Sequence, residues 1–337
     1  MIMKKILALL GFVLALASCS NQKALLPNVS GKAGEVLVVI EKNDWEGALG
    51  NATRELLAKD CPFLVMREPL YSLANVTHGG FGNMFKVHRN IVYFDIRPAV
   101  TEPAVSYLES VWADSQCVVK IQAANSGQAA ELLEANGERI VSYIEQAERN
   151  RVLHSSYRYE DKSLARRIEA LFGGCLHLPT GYKFRKQADD FIWIGDEKYY
   201  TNQGIFVYSY PASGDESDFS INTIIRNRNA ILQENVPGML ENSYMTTGEI
   251  PVPTVEFMKF KNRSFAQTRG YWEVEKDFMG GPFVSHSFYS PYGKKVIVAE
   301  AFVYAPKYDK RQYLRQTESL LYSWEWKTDK GKNKEEN

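Results

Sequence analysis

Residues 255–261 (VEFMKFK), 265–274 (FAQTRGYWEV), 283–289 (FVSHSFY) and 295–304 (KVIVAEAFVY) decide how the C-terminal half folds. Each run is rich in aromatic and β-branched residues, and turn residues separate them, including Asn262 and Tyr292-Gly293. Runs of this kind in close succession predict an antiparallel meander. The runs 191–195 (FIWIG) and 204–210 (GIFVYSY) predict two further strands upstream.

Helices are expected around this sheet. Asp161 suits an N-cap for a helix with Leu164, Ile168, Leu171 and Phe172 on one face, and Gly173-Gly174 end it. Asp218 or Ser220 opens a helix carrying Ile221, Ile224, Ile225 and Ile231, which Pro237-Gly238 stop. The last helix starts near Asp309 and places Tyr313, Leu314, Thr317, Leu320, Leu321 and Trp324 at helical spacing.

The N-terminal half reads differently. Val36 to Ile40 is a continuous apolar run, as in a strand buried on both faces. Asn43 or Asp44 caps a helix with Trp45, Ala48, Leu49, Ala52 and Leu56. Ile91 to Phe94 and Cys117 to Gln122 are strands. Between them Pro103 suits the first turn of a helix with Val105, Leu108, Val111 and Trp112. Asn125 or Ser126 then caps a long helix bearing Leu132, Leu133, Ile140, Val141 and Ile144. The fold class is therefore α+β: an α/β unit at 35–150, then an antiparallel sheet packed with helices at 151–326. The tail 327–337 (KTDKGKNKEEN) is charged and expected to be disordered.

The start of the chain reads as an address. Lys4 and Lys5 precede an uncharged apolar run, Ile6 to Ala17. That run is too short for a bilayer span of about 20 residues, so it reads as the core of an export signal. Leu16-Ala17-Ser18-Cys19 resembles the lipobox of bacterial lipoproteins. The resemblance implies a signal peptide at 1–18, diacylglycerol on the Cys19 thiol, and a tether at 19–34. Ser20 follows the Cys rather than Asp, and no acidic run follows. By analogy with bacterial lipoproteins, this places the protein at the outer membrane, anchored by its lipid (palmitate among its chains) and facing the periplasm. One acyl chain holds a protein only marginally, so permanent tethering needs the several chains of a mature lipoprotein.

Composition narrows the function. The 337 residues are 45% hydrophobic and 24% charged with zero formal net charge, an ordinary globular balance. No clustered basic face suggests nucleic acid. The 19 Tyr, 17 Phe and 6 Trp concentrate in the C-terminal half. Strand-rich cores use such residues, which favours a buried role over an aromatic binding surface. Cys61, Cys117 and Cys175 remain beyond Cys19. One bridge with one free thiol is an arrangement the periplasm permits. The apolar neighbours of all three favour separate buried thiols. No CxxC supports redox or zinc chemistry.

No GxSxG elbow, HExxH helix, P-loop, EF-hand or GxGxxG motif occurs. His78 and His88 flank a glycine-rich loop (HGGFGNMFKVH) whose backbone could cradle an anion, a weak signal. No metal site and no cofactor is expected. The polar residues that stand out are Arg226, Arg228, Arg269, Trp272, Asp277 and His286. Arg226 and Arg228 are two apart and cannot share a helix face. Whichever is buried needs a carboxylate such as Glu273 or Asp277. Phe278 and Met279, at the turn between two strands, either form a contact surface or fold back on the sheet.

The runs Arg226 to Asn229, Ser243 to Thr247, Arg269 to Glu273, Met279 to Ser285 and Phe302 to Pro306, with LPNVSGKAGEVLVVI at 26–40, resemble a family of Bacteroidetes lipoproteins. That family is known only as a domain of unknown function, DUF4837. The resemblance spans essentially the whole mature chain and implies lineage and location, but no catalytic residues. The expectation is a non-enzymatic binding or interaction module contacting the membrane, an envelope protein or a small ligand. The alternative is a hydrolase of an envelope polymer using Asp277 or His286 with arginines.

Overall fold

The computed structural model describes residues 25–291 and 293–327. Cys19, the signal segment 1–18 and residues 328–337 lie outside the described residues, as does Tyr292 of the expected turn.

The N-terminal unit runs β1 (Glu35–Val39), α1 (Lys42–Glu46), α2 (Ala48–Leu57), β2 (Ser72–Val76), α3 (Asn83–Lys86), β3 (Asn90–Ile96), β4 (Ala104–Glu109), β5 (Cys117–Ala123), α4 (Ser126–Ala135) and α5 (Gly137–Arg158). Its sheet has the order β2-β1-β3-β5-β4. The first four strands are parallel and β4 is an antiparallel edge. Val36, Val38, Val92, Val119 and Ile121 face the helices, packing against Leu49, Leu57, Leu133 and Ile140. Leu37, Val39, Ile91 and Val118 face the other way, where Phe81, Phe85 and Trp112 cover them in place of a long helix. The glycine-rich loop is thus a lid on the bare face of the sheet.

Three expectations about this unit need correction. The helix expected from Pro103 is the strand β4. Its i, i+3 apolar spacing is overridden by pairing with β5, and Val105 and Tyr107 alternate toward the helix layer. The helix expected from Asn43 is two helices, broken at Gly47, whose backbone is extended. The helix capped by Asn125 is also two, meeting at Asn136; Asn125 Oδ1 does accept the Gln128 N–H at 3.0 Å. The second of these, α5, runs through position 150, where the sequence suggested the unit ends. Part of the expected tether is also fixed: Ser30 N donates to Val87 O and Asp114 N donates to Pro27 O, both at 2.8 Å.

The C-terminal unit runs α6 (Lys162–Phe172), β6 (Gly174–Cys175), β7 (Lys183–Ala188), β8 (Phe191–Lys198), β9 (Thr201–Pro211), α7 (Ile221–Asn235), β10 (Met245–Thr247), β11 (Thr254–Phe260), β12 (Arg263–Val274), β13 (Gly280–Tyr289), β14 (Lys295–Tyr304), α8 (Arg311–Leu321) and β15 (Glu325–Trp326). The eight-stranded sheet is ordered β10-β12-β13-β14-β9-β8-β7, with β11 pairing β12 as well, and every pairing is antiparallel. The meander of four strands expected from the sequence is present. Asp161 caps α6, and Gly173, at φ 73°, ends it in the left-handed conformation that glycine adopts most cheaply. Ser220, not Asp218, caps α7.

Strand alternation gives this sheet two buried faces. Phe206, Tyr208, Trp272, Phe283 and Phe302 pack under α7. Ile205, Val207, Phe265, Phe288 and Ile297 pack under α6 and α8. The aromatic residues of the C-terminal half are mostly this core. At Gly281 the strands close so tightly that a Cβ would stand 1.9 Å from the Val303 carbonyl oxygen.

The two units share a polar seam. The buried Glu68 carboxylate, from the N-terminal unit, accepts Lys310 N and Arg311 N at 2.8 Å each, capping α8 from outside. Arg315 on α8 makes a bidentate pair with Glu145 on α5, Nη2 to Oε1 2.8 Å and Nε to Oε2 3.0 Å.

Candidate functional site

The six polar residues singled out in the sequence do not meet. Arg228 projects from α7 onto the face of the sheet that holds Trp272, whereas Arg269 and His286 lie on the opposite face of the same sheet. Residues 269 and 272 are an odd number of positions apart on β12, so their side chains leave opposite faces. Arg226 is exposed on α7 and Asp277 is half-buried in the turn after β12, its Oδ1 accepting the Phe278 N–H at 2.6 Å. Phe278 projects fully into solvent, while Met279 folds back against the core under α7.

Arg228 is buried, but its partner is neither Glu273 nor Asp277. Its Nη2 lies 2.7 Å and its Nε 3.0 Å from the oxygens of Glu300 on β14, and both side chains are inaccessible. Arg228 Nη1 donates to Thr247 Oγ1 at 2.8 Å, and its guanidinium carbon stands 3.9 Å from the Phe283 ring centroid. Glu273 and Asp277 sit at the rim, where water screens them, so the carboxylate enclosed opposite the guanidinium is the one that pairs. Trp272 Nε1 donates to Val303 O at 3.2 Å. These are the contacts of a packed core.

His286 is buried and stacks on Phe265, with ring centroids 4.0 Å apart. Burial, helped by the charges of Arg263, Arg269 and Arg149, holds its pKa well below the usual imidazole range, so it is neutral. Its neighbour Arg269 reaches outward. Arg269 Nη1 lies 3.2 Å from Glu318 Oε2, and its Nε donates to Gln267 Oε1 at 3.2 Å.

Arg269 opens onto a cleft of about 380 Å³ at the junction of the two units. One wall is α5 and the loop after α2, with Glu145, Arg149, Cys61 and Phe63. The other is α8 and β11–β12, with Glu256, Arg269, Arg311, Arg315 and Glu318. Four guanidinium groups face three carboxylates here. Arg315 and Arg269 are held by Glu145 and Glu318. Burial opposes each of these cations, but the paired carboxylate outweighs it and raises the pKa. The other two have no ion pair among the described residues. Arg149 lies 3.9 Å over the Tyr322 ring, and Arg311 donates to Pro69 O and Ser72 Oγ while its buried Nε meets no acceptor. Burial and the neighbouring Arg315 charge lower the Arg311 pKa from its usual value. The Cys61 thiol is pushed up by burial to about 11, so it is not a thiolate near neutral pH.

Of these lining residues the sequence reading picked out only Arg269 and, as a thiol, Cys61. A signal was present: Glu145 and Arg149 are four apart on α5, and Arg311 and Arg315 four apart on α8, so each pair shares a helix face. What the sequence does not carry is that these two faces oppose each other.

The other expectations resolve locally. His78 Nδ1 lies 2.7 Å from Glu41 Oε1, and His88 Nε2 lies 2.9 Å from Glu35 Oε1, each a contact with a single carboxylate of the N-terminal unit. No group of His, Cys, Asp and Glu suited to a metal occurs among the described residues. Cys61, Cys117 and Cys175 are all free, Cys117 and Cys175 buried and Cys61 half-buried.

Two family models match this chain. Residues 161–323 match the family model described as domain of unknown function DUF4837. Residues 29–157 match domain of unknown function DUF8532. No curated protein matches. Among solved structures, a protein of Bacteroides thetaiotaomicron VPI-5482 is similar at 10% identity and a TM-score of 0.26, covering 46% of this chain and 45% of that one. Human STARD10 is similar at 10% identity and a TM-score of 0.23, covering 52% of this chain and 77% of its own. The chain is thus similar to DUF8532 over residues 29–157 and to DUF4837, the family its sequence resembles, over residues 161–323.

Proposed function

We propose that this protein is a lipid-anchored envelope binding module whose ligand places an anionic group in the cleft between the two units. The observation that carries this reading is the pair Arg149 and Arg311, two guanidinium groups lining one cleft with no ion pair among the described residues. A cation left unpaired in a partly dehydrated site is costly, and a carboxylate or phosphate relieves that cost with charge-assisted hydrogen bonds. The walls come from different units, so a ligand there also bridges them, and the mixture of apolar Phe63 and Leu314 with charged groups suits a small organic anion.

The anchor is part of the same proposal. The lipobox-like Leu16-Ala17-Ser18-Cys19 supports acylation at Cys19, and the residues after it support the periplasmic face of the outer membrane. Replacing Cys19 with Ala is expected to release the chain from membranes or leave it unprocessed.

Thermal denaturation of the full chain with millimolar phosphate, acetate and succinate tests the cleft. At least one anion is expected to raise the melting temperature, Arg149→Ala to abolish the rise, and Arg226→Ala, on the exposed side of α7, to keep it. No rise with any of the three, or a rise that survives Arg149→Ala, sinks the assignment.

A further inference from the structure

Three uncharged segments converge where the described chain begins. They are 25–28 (LLPN), 79–85 (GGFGNMF) and 110–113 (SVWA). They are distant in sequence and are held together by named contacts. Asp114 N donates to Pro27 O and Ser30 N to Val87 O, both at 2.8 Å. Gln116 ties the other two: its Nε2 donates to Lys86 O at 2.6 Å and its Oε1 accepts Trp112 N at 3.0 Å. Phe81 meets Trp112 edge-on, ring centroids 5.5 Å apart.

Phe81 and Trp112 turn inward and cover the sheet. Their neighbours turn out: Leu25 is 100% exposed, Met84 77%, Leu26 39% and Val111 37%. Four apolar side chains protrude here, with exposed Asp114 and half-buried Lys86 at the margins of the three segments, a feature that solvent alone does not favour.

We infer that this surface, formed by Leu25, Leu26, Met84 and Val111, lies on the lipid bilayer. The inference rests on the proposed acylation of Cys19. Five residues separate Cys19 from Leu25, so the span is six residue steps, and an extended chain of that length reaches about 20 Å at most. The acyl chains therefore hold this face, and no distant one, against the membrane. Apolar side chains at the headgroup boundary gain burial there without crossing the bilayer, as interfacial segments do. Among the described residues no helix is long and apolar enough to span a membrane.

The surface also sets which way the molecule points. The cleft is on the helix-bearing side of the N-terminal unit, between α5 and α8, whereas the proposed lipid contact is on the face of that sheet covered by the loop. A ligand would then enter from the periplasmic space.

Photo-crosslinking in cell membranes tests this with the full chain. Benzoylphenylalanine is encoded by Met84→Bpa, Val111→Bpa and, as a control, Tyr199→Bpa in the C-terminal unit, where Tyr199 is 89% exposed. Phospholipid adducts are read by mass spectrometry, along with the acyl mass on Cys19. The expected result is at least tenfold more adduct at 84 and 111 than at 199. Equal yields on an acylated chain, or crosslinks from 84 and 111 to protein instead of lipid, overturn the lipid face and leave the anchor standing. A chain with no acyl mass and no adduct at any position overturns the anchor and the face together.

Discussion

Arg228 Nη2 lies 2.7 Å from Glu300 Oε1, and neither side chain is reached by solvent. Helix α7 is thereby fixed to the centre of strand β14 through one charged pair set among Phe283, Tyr208 and Trp272. A buried pair of this kind is costly to break from one side, because the remaining charge is stranded. Arg228→Ala is expected to lower unfolding free energy by about 3–5 kcal/mol. Chemical denaturation measures it. Arg228→Met combined with Glu300→Leu is expected to recover most of that loss. A double variant as unstable as the single one would show that the pair does more than satisfy itself.

The seam between the units makes a second prediction. Glu68 accepts two N–H groups at the start of α8, and Lys310, the cap residue of that helix, offers no side-chain acceptor of its own. Glu68→Ala is expected to cost about 1–2 kcal/mol, the usual range for a lost cap. Hydrogen exchange locates the effect: the amides of Lys310 and Arg311 should lose protection first, with those of α7 unchanged. Uniform loss over both helices would contradict a local capping role.

His177 gives a pH dependence. Its Nδ1 is 2.7 Å from Glu160 Oε1 and its Nε2 is 3.1 Å from Glu325 Oε2. Burial disfavours its charged form, but hydrogen bonding to Cys175 and Glu325 outweighs that and raises its pKa from 6.5 to about 10. The folded chain therefore keeps a proton that the unfolded chain loses. The stabilisation is complete below about pH 6.5, declines as pH rises, and is gone above about pH 10. Melting temperatures of the wild type minus those of His177→Gln, measured from pH 6 to pH 10, should fall steadily. A difference that grows with pH would reverse the assignment.

Gly281 gives a steric prediction. A Cβ there would stand 1.9 Å from the Val303 carbonyl oxygen and 2.9 Å from Trp272 Nε1. The first obstacle is backbone, so β13 and β14 must separate to admit it. Gly281→Ala is expected to destabilise by about 1–3 kcal/mol, the range for overpacking. Gly181→Ala, where no atom lies within 4 Å but φ is 117°, tests backbone strain alone and should report a loss without any change at Trp272. Tryptophan fluorescence separates the two cases.

Much of the fold was legible because its strands and helices are locally consistent. The runs at 265–274, 283–289 and 295–304 carry both β-favouring residues and turn boundaries, and they pair in that order. Asp161 and Gly173 mark both ends of α6 by cap chemistry that acts within a few residues. The segment after Pro103 misled because Val105, Leu108 and Trp112 fit a helical period and Val105 and Tyr107 fit a strand. The neighbouring β5 chose between them.

The polar residues were less legible for a physical reason. A sequence shows that Arg228 needs a carboxylate but not that Glu300, 72 positions on, is the one enclosed with it. It shows Arg269 and His286 near Trp272 without showing that the sheet stands between them. The sequence by itself determined the α+β composition, the order of the strands in the C-terminal meander, and the lipobox-like pattern ending at Cys19, because propensity, capping and periodicity are short-range. Only the tertiary structure decided which charges pair, that α5 and α8 face each other across a cleft, and that three uncharged segments meet at the chain's entry. Those depend on long-range packing, where a residue's partner is set by the whole fold and not by its neighbours in the chain.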